Sequence, residues 1–141
     1  MTKTALLQKL KQEITEEEYR MLSENRMPNI SKFNRQVLLD MMHVDFVPED
    51  EVSEEQVAAL QNVLITYLGT YMADGKSSWK WIILTCSYLR FVCEKPLHPQ
   101  NAVNYITKTG KHHTSYFCPA KDETIGSVCL FCVCKNMKTA D

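Results

Sequence analysis

Up to about residue 95 the apolar positions recur at helical spacing, and at strand spacing only afterwards. Leu6, Leu7, Leu10 and Ile14 share one helix face. Thr15-Glu16-Glu17-Glu18 has the form of a capping box, so a second helix starts there and carries Tyr19, Met21 and Leu22 inward. Asn25 to Asn29, with Pro28, reads as a break. Ser31 can then cap a short helix through Val37, Leu38, Met41 and Met42. Phe46 to Glu51 is an acidic, Pro-containing linker. Ser53-Glu54-Glu55-Gln56 is a second capping box and opens a longer helix, with Val57, Leu60, Leu64, Tyr67 and Tyr71 as its apolar stripe. Asp74-Gly75 ends that helix, with Gly75 suited to the left-handed position after it.

Ser77 or Ser78 caps the next helix, Trp79 to about Glu94, which Pro96 ends. Ile82, Thr85, Cys86 and Leu89 form one of its faces, and Trp81, Leu84, Tyr88 and Phe91 another. A helix apolar on two faces belongs at the centre of a bundle. Two long helices joined by about four residues are antiparallel neighbours. Beyond His98 the pattern changes. Val103–Thr107 and His113–Phe117 are rich in β-branched and aromatic residues, and Lys108-Thr109-Gly110-Lys111 between them is a turn signal, so the pattern predicts a β-hairpin. The expected fold is mainly α, a bundle of four to five helices with a small C-terminal hairpin and a Cys/His metal knuckle. At 141 residues this is a single domain, 1–95 helical and 96–141 hairpin plus Cys-rich tail.

Charge adds a division to this picture. Residues 1–75 carry seven Lys/Arg against thirteen Asp/Glu, a net of −6, and residues 76–141 carry nine against four, a net of +5. Attraction between an acidic and a basic half accounts for such a split. A basic binding face is the lesser alternative: Lys108, Lys111, His112, His113, Lys121, Lys135 and Lys138 are its cations, with Tyr105, Tyr116 and Phe117 available to stack on bases. The most apolar stretch, Trp79 to Val92, is fourteen residues long and contains Lys80 and Arg90, too short and too charged to span a bilayer. The opening MTKTALLQKLKQEITEEE is amphipathic and soon acidic, unlike a secretory signal. A cytoplasmic location is the expectation, and there six cysteines are thiols or metal ligands rather than disulfides.

Those cysteines carry the candidate chemistry. Cys129, Cys132 and Cys134 fall within six residues, Cys118 lies eleven positions earlier, and His98-Pro99 lies twenty before Cys118. A hairpin returns the chain to where it started, so it brings His98, just before its first strand, toward Cys118, just after its second. Cys129-Leu130-Phe131-Cys132 adds two sulfurs able to grip one ion. His98, Cys118, Cys129 and Cys132 make a Cys3His set, which suits tetrahedral zinc. Cys134 or Cys93 could replace His98, and an all-cysteine set would point instead to an iron–sulfur cluster. Cys86 sits on an apolar helix face and reads as core. A C-x2-C redox pair lacks the βαβ unit that usually carries one. Cys118 with His112 or His113 could form a nucleophile and base, but nothing local supports it. The acidic helix starts need no catalytic role, since negative charge is favourable there. His43 reads as a packed residue at a helix C-terminus.

Three segments carry a resemblance: Tyr88-Leu89-Arg90-Phe91-Val92-Cys93-Glu94-Lys95-Pro96-Leu97-His98-Pro99, then Tyr116-Phe117-Cys118-Pro119-Ala120-Lys121, then Val128-Cys129-Leu130-Phe131-Cys132-Val133. They resemble an uncharacterised archaeal family, found mainly in methanogens and known as domain of unknown function 2115. Its members combine a helical N-terminal part with K-P-x-H-P, C-P-x-K and C-x-F-C elements. The resemblance implies that His98, Cys118, Cys129 and Cys132 are motif positions, and it brings no activity with it. Gln100 to Val103 stands where the family has a Gly/Pro-rich stretch, and the segment from Lys121 to Val128 is short. Together these readings predict a small cytoplasmic protein, stapled by zinc, that works through a protein partner, with an enzymatic role left open. An iron–sulfur protein with a redox or enzymatic role and a nucleic-acid-binding module are the alternatives.

Overall fold

A computed structural model describes residues 1–45, 47, 50–95 and 97, and the backbone of 101–106 and 112–117. Its described part is mainly helical. The order is α1 (Lys3–Gln12), α2 (Glu16–Ser23), α3 (Lys32–Met42), α4 (Glu54–Tyr71), a 3-10 turn (Ala73–Gly75), α5 (Lys76–Ser87) and a π-helical turn (Tyr88–Cys93) continuous with α5. The backbone of Asn101–Ile106 and His112–Phe117 forms two antiparallel strands, β1 and β2, with Asn101 opposite Phe117 and Ile106 opposite His112.

Short polar side chains start four of the helices. Thr2, Thr15, Ser31 and Ser53 each accept a hydrogen bond from a backbone N–H of the first turn. At Thr15 the box is reciprocal, because Glu18 also accepts from the Thr15 N–H at 3.0 Å. The break after α2 is a Schellman closure. Asn25, at φ 57°, lets its own N–H reach the Leu22 carbonyl and the Arg26 N–H reach the Met21 carbonyl. Arg35 on α3 adds a second donor to the Leu22 carbonyl, from Nε at 2.8 Å, and satisfies the Ser23 carbonyl from Nη2 at 3.3 Å.

The core gathers one face from every helix. Leu6, Leu7, Leu10, Ile14, Leu22, Leu38, Met41, Leu60 and Leu64 are buried around α5 and the π-turn that continues it, where residues 84 to 89 are all buried. α5 packs on α3 and α4, and α1 packs on the π-turn and α3. That is the central position predicted from its two apolar faces. Gln61 Nε2 donates to Ser87 Oγ at 3.3 Å, and a Cβ on Gly69 would meet the Trp79 ring at 3.8 Å, so α4 and α5 run antiparallel. Two ties hold α1 in place. Lys11 Nζ donates to the Val44 carbonyl, and Thr2 bridges Glu51 with Lys3 N–H to Asp50 O at 2.9 Å and Val52 N–H to Met1 O at 2.7 Å.

Four sequence expectations need correction. On α4, Leu68 is 1% exposed and joins the buried face, Tyr67 is 47% exposed, and the Tyr71 side chain lies outside the described residues. At about 100° per residue, Leu68 falls about 20° to one side of Val57 and Tyr67 about 20° beyond Leu60 on the other, so both flank the buried face and only the Leu68 side is covered. Gly75 is not left-handed: its φ is −103° and it is the N-cap of α5, which therefore starts at Lys76 with no side-chain cap. Ser78 does not cap but folds back, donating to the Gly75 carbonyl at 2.7 Å. His43 is the C-cap of α3, as expected, but it is exposed, with its ring edge-on to Tyr19 at 6.4 Å, so it does not pack in the core. Of the 46–51 linker, residues 46, 48 and 49 lie outside the described residues, as does the turn at 108–111.

Candidate functional site

The Cys/His segment departs from the end of the helical core. After Ser87 the helix widens to π geometry through Tyr88–Cys93, a feature often found near functional sites. Its consequence is local and specific. In an α-helix residues five apart are about 140° apart around the axis, but the i→i+5 bonding of a π-turn brings them nearer to one side. Tyr88 and Cys93 are five apart, and the tyrosine hydroxyl and the thiol are hydrogen-bonding neighbours. Burial pushes the Cys93 thiol pKa up, and it outweighs the Tyr88 hydrogen bond and the attraction of Lys95 and Lys3, while Asp40 adds to the rise. Burial likewise raises the Tyr88 hydroxyl, with Cys93 and Asp40 adding to it.

Glu94 then turns the chain. At φ 53° and ψ 47° it is left-handed, uncommon for a residue with a Cβ, and both its N–H and that of Lys95 reach the Leu89 carbonyl. The helix therefore stops two residues before Pro96 and needs no proline to stop it. Lys3 holds this corner. Its ammonium, with the side chain only 10% exposed, lies 3.6 Å from the Glu94 carboxylate and 3.4 Å from that of Asp50. Leu97, 4% exposed, belongs to the hydrophobic core. Arg90 Nε is buried and has no hydrogen-bond partner among the described residues, and its guanidinium lies 5.3 Å from the Phe91 ring. Buried polar atoms of that kind are few in native proteins.

His98, Cys118, Cys129 and Cys132, with Cys134, lie outside the described residues. Cys86 is buried, the core position expected of it, and Cys93 is half-buried. Among the described residues no group of three or more His, Cys, Asp or Glu side chains could hold a metal ion. Of the cations and aromatics of the expected basic face, His112, His113, Tyr105, Tyr116 and Phe117 are positions on the two strands, with Tyr105 opposite His113. Sequence reasoning missed the Lys3 anchor and the Tyr88–Cys93 pair. A lone lysine before an apolar run gives no signal of burial, and nothing in Tyr-Leu-Arg-Phe-Val-Cys distinguishes π from α.

Residues 2–137 match the family described as an uncharacterised protein conserved in archaea, domain of unknown function 2115. The chain belongs to that family. The matched span includes positions 98, 118, 129 and 132. A UPF0305 protein of Methanocaldococcus jannaschii is 32% identical over 101 residues, which cover 67% of this chain and 59% of the relative. A UPF0305 protein of Methanococcus maripaludis is 26% identical over 98 residues, covering 64% and 57%. The chain thus spans less than two thirds of the length of these curated family members. No solved structure matches it. No helix among the described residues is long and apolar enough to cross a membrane.

Proposed function

We propose that the chain is a metal-stapled helical protein in which His98, Cys118, Cys129 and Cys132 hold one zinc ion. The strand register is the observation that carries this reading. Asn101 pairs with Phe117, so the chain enters and leaves the ladder at one end, between strands about 5 Å apart. Cys118 follows Phe117 directly. His98 precedes Asn101 by three residues, a reach of at most about 11 Å. Leu97 in the core gives that reach an anchored origin. The donor types suit the ion as well: three thiolates and one imidazole satisfy a tetrahedral zinc with no open position.

Bound zinc would supply cross-links, and through them folding free energy, to a segment rich in ligands and poor in aliphatic residues. The thiolates must be deprotonated to bind, so the staple weakens as pH falls. A closed site does no chemistry of its own, and the stapled domain would serve a protein partner by presenting a rigid surface. Elemental analysis of anaerobically purified protein tests this. One zinc per chain is expected, lost in His98→Ala and Cys132→Ser and kept in Cys86→Ser. A brown protein containing iron and labile sulfide would overturn the zinc reading. It would favour a redox cluster with Cys93, half-buried at the same end of the core, as the fourth thiol.

A further inference from the structure

α1, α4 and α5 enclose a cavity of about 410 Å³. Its apolar wall is Leu6 and Leu10 of α1, Val57 and Ile65 of α4, and Ile83 and Leu84 of α5. Each helix lines it at spacings of about three and four residues, so the cavity is a trough along the helix axes. On α4 the lining runs from Glu54 to Ile65, about 16 Å at 1.5 Å per residue. The apolar strip does not stop there. Ile65 is 47% exposed, and Met72, the non-helical C-cap at the far end of α4, is 38% exposed. A small ligand would leave that extension unused, whereas three turns of helix would cover it.

The charges on the rim select the sign of the occupant. Lys80 is already held by Glu18 at 2.8 Å, and the Met1 ammonium by Glu51 at 3.3 Å. Glu13 and Glu54 line the trough, are exposed, and have no ion-pair or hydrogen-bond partner for their carboxylates among the described residues. Lys9 is the one lining cation there without such a partner. The free rim charge is therefore acidic, two carboxylates against one ammonium. We propose that this trough docks a basic amphipathic helix of a partner protein. Apolar residues at i, i+4 and i+7 enter between α1 and α4, and flanking Lys or Arg meet Glu13 and Glu54. The inference rests on the reading that the chain serves a partner, and names that partner's chemistry. No lining residue is a candidate metal ligand, so metal content and groove binding can fail separately.

The test is selection of 14-residue helical peptides from a displayed random library on the full-length, metal-replete protein. Selected peptides are then titrated by fluorescence anisotropy. The expected peptides carry the i, i+4, i+7 apolar pattern with Lys or Arg flanks. Ala58→Arg, at an exposed lining position, should weaken them more than tenfold. Glu13→Lys with Glu54→Lys should weaken them similarly at low salt and less at high salt. Circular dichroism of each variant confirms that it is folded. Acidic or neutral flanks, indifference to both variants in folded protein, or no enriched helical peptide would each overturn the proposal. So would a wild-type dimer that Ala58→Arg converts to monomer, which would give the trough to a second copy of this chain.

Discussion

Leu97 is the last core residue before His98, and its loss should be felt differently with and without the metal. The side chain is 4% exposed within the main hydrophobic cluster, so Leu97→Ala removes buried methyl groups and leaves a void. Changes of this kind cost about 2–5 kcal/mol. If zinc fastens the following segment to the core, Leu97 is held in its socket by the staple as well as by its own contacts. Without the metal, the residues after Glu94 come away more readily, and the socket contributes less. A double-mutant cycle separates the two effects, using wild type, Leu97→Ala, Cys132→Ser and the double variant. The assay is urea unfolding followed by far-ultraviolet circular dichroism, with zinc in the buffer. Leu97→Ala should cost at least about 1 kcal/mol less in the Cys132→Ser background than in the wild type. Additivity within about 0.5 kcal/mol would refute the reasoning, because independent sites add to that precision.

Other outcomes follow from the same corner and from the rim of the trough. Lys3 sits largely buried between carboxylates that are themselves 64% and 65% exposed, so Lys3→Met should leave stability within about 1 kcal/mol of wild type, while Lys3→Glu, placing a third carboxylate there, should cost about 3 kcal/mol or more in urea unfolding. Burial alone would raise the Glu18 carboxyl, but Lys80 and the Thr15 N–H and hydroxyl together hold its pKa below the ordinary 4.5. A depressed carboxylate contributes stability above its unfolded value and loses it as pH falls through its folded one, so the gap between wild type and Glu18→Gln should be full at pH 7 and shrink below about pH 4.5. The half-buried Cys93 thiol, its pKa raised, should react with iodoacetamide more slowly at neutral pH than an unstructured cysteine, and the reaction should accelerate as pH rises past 9. Peptide mapping by mass spectrometry reads this out, and rapid labelling at pH 7 would contradict it.

The helical half was legible because several independent signals agree there. Thr15 shows the agreement most clearly: cap, box and inward Leu22 all point to the same start, and the structure has each of them. Errors arose where two signals competed. At the α4 C-terminus the three-and-four spacing continues to Tyr67, but Leu68, on the other margin of the same stripe, is the one that is covered. At Gly75 the residue type suggested a left-handed stop, yet a three-residue 3-10 turn absorbs the reversal without positive φ. The left-handed residue is instead Glu94, where residue type gives no hint. Its conformation is supported by the Leu89 carbonyl and the Lys3 ammonium, both supplied by tertiary structure. The candidate ligands were legible as donor types and spacing. Which of Cys93, Cys134 and His98 completes the set depends on distances that spacing alone does not carry.

Zinc-edge X-ray absorption of the anaerobically purified protein tests the central claim most directly. The account predicts three sulfur scatterers at about 2.3 Å and one nitrogen at about 2.0–2.1 Å, with no oxygen in the shell. His98→Ala should remove the nitrogen. Four sulfurs, a coordinating oxygen, or iron in place of zinc would contradict it.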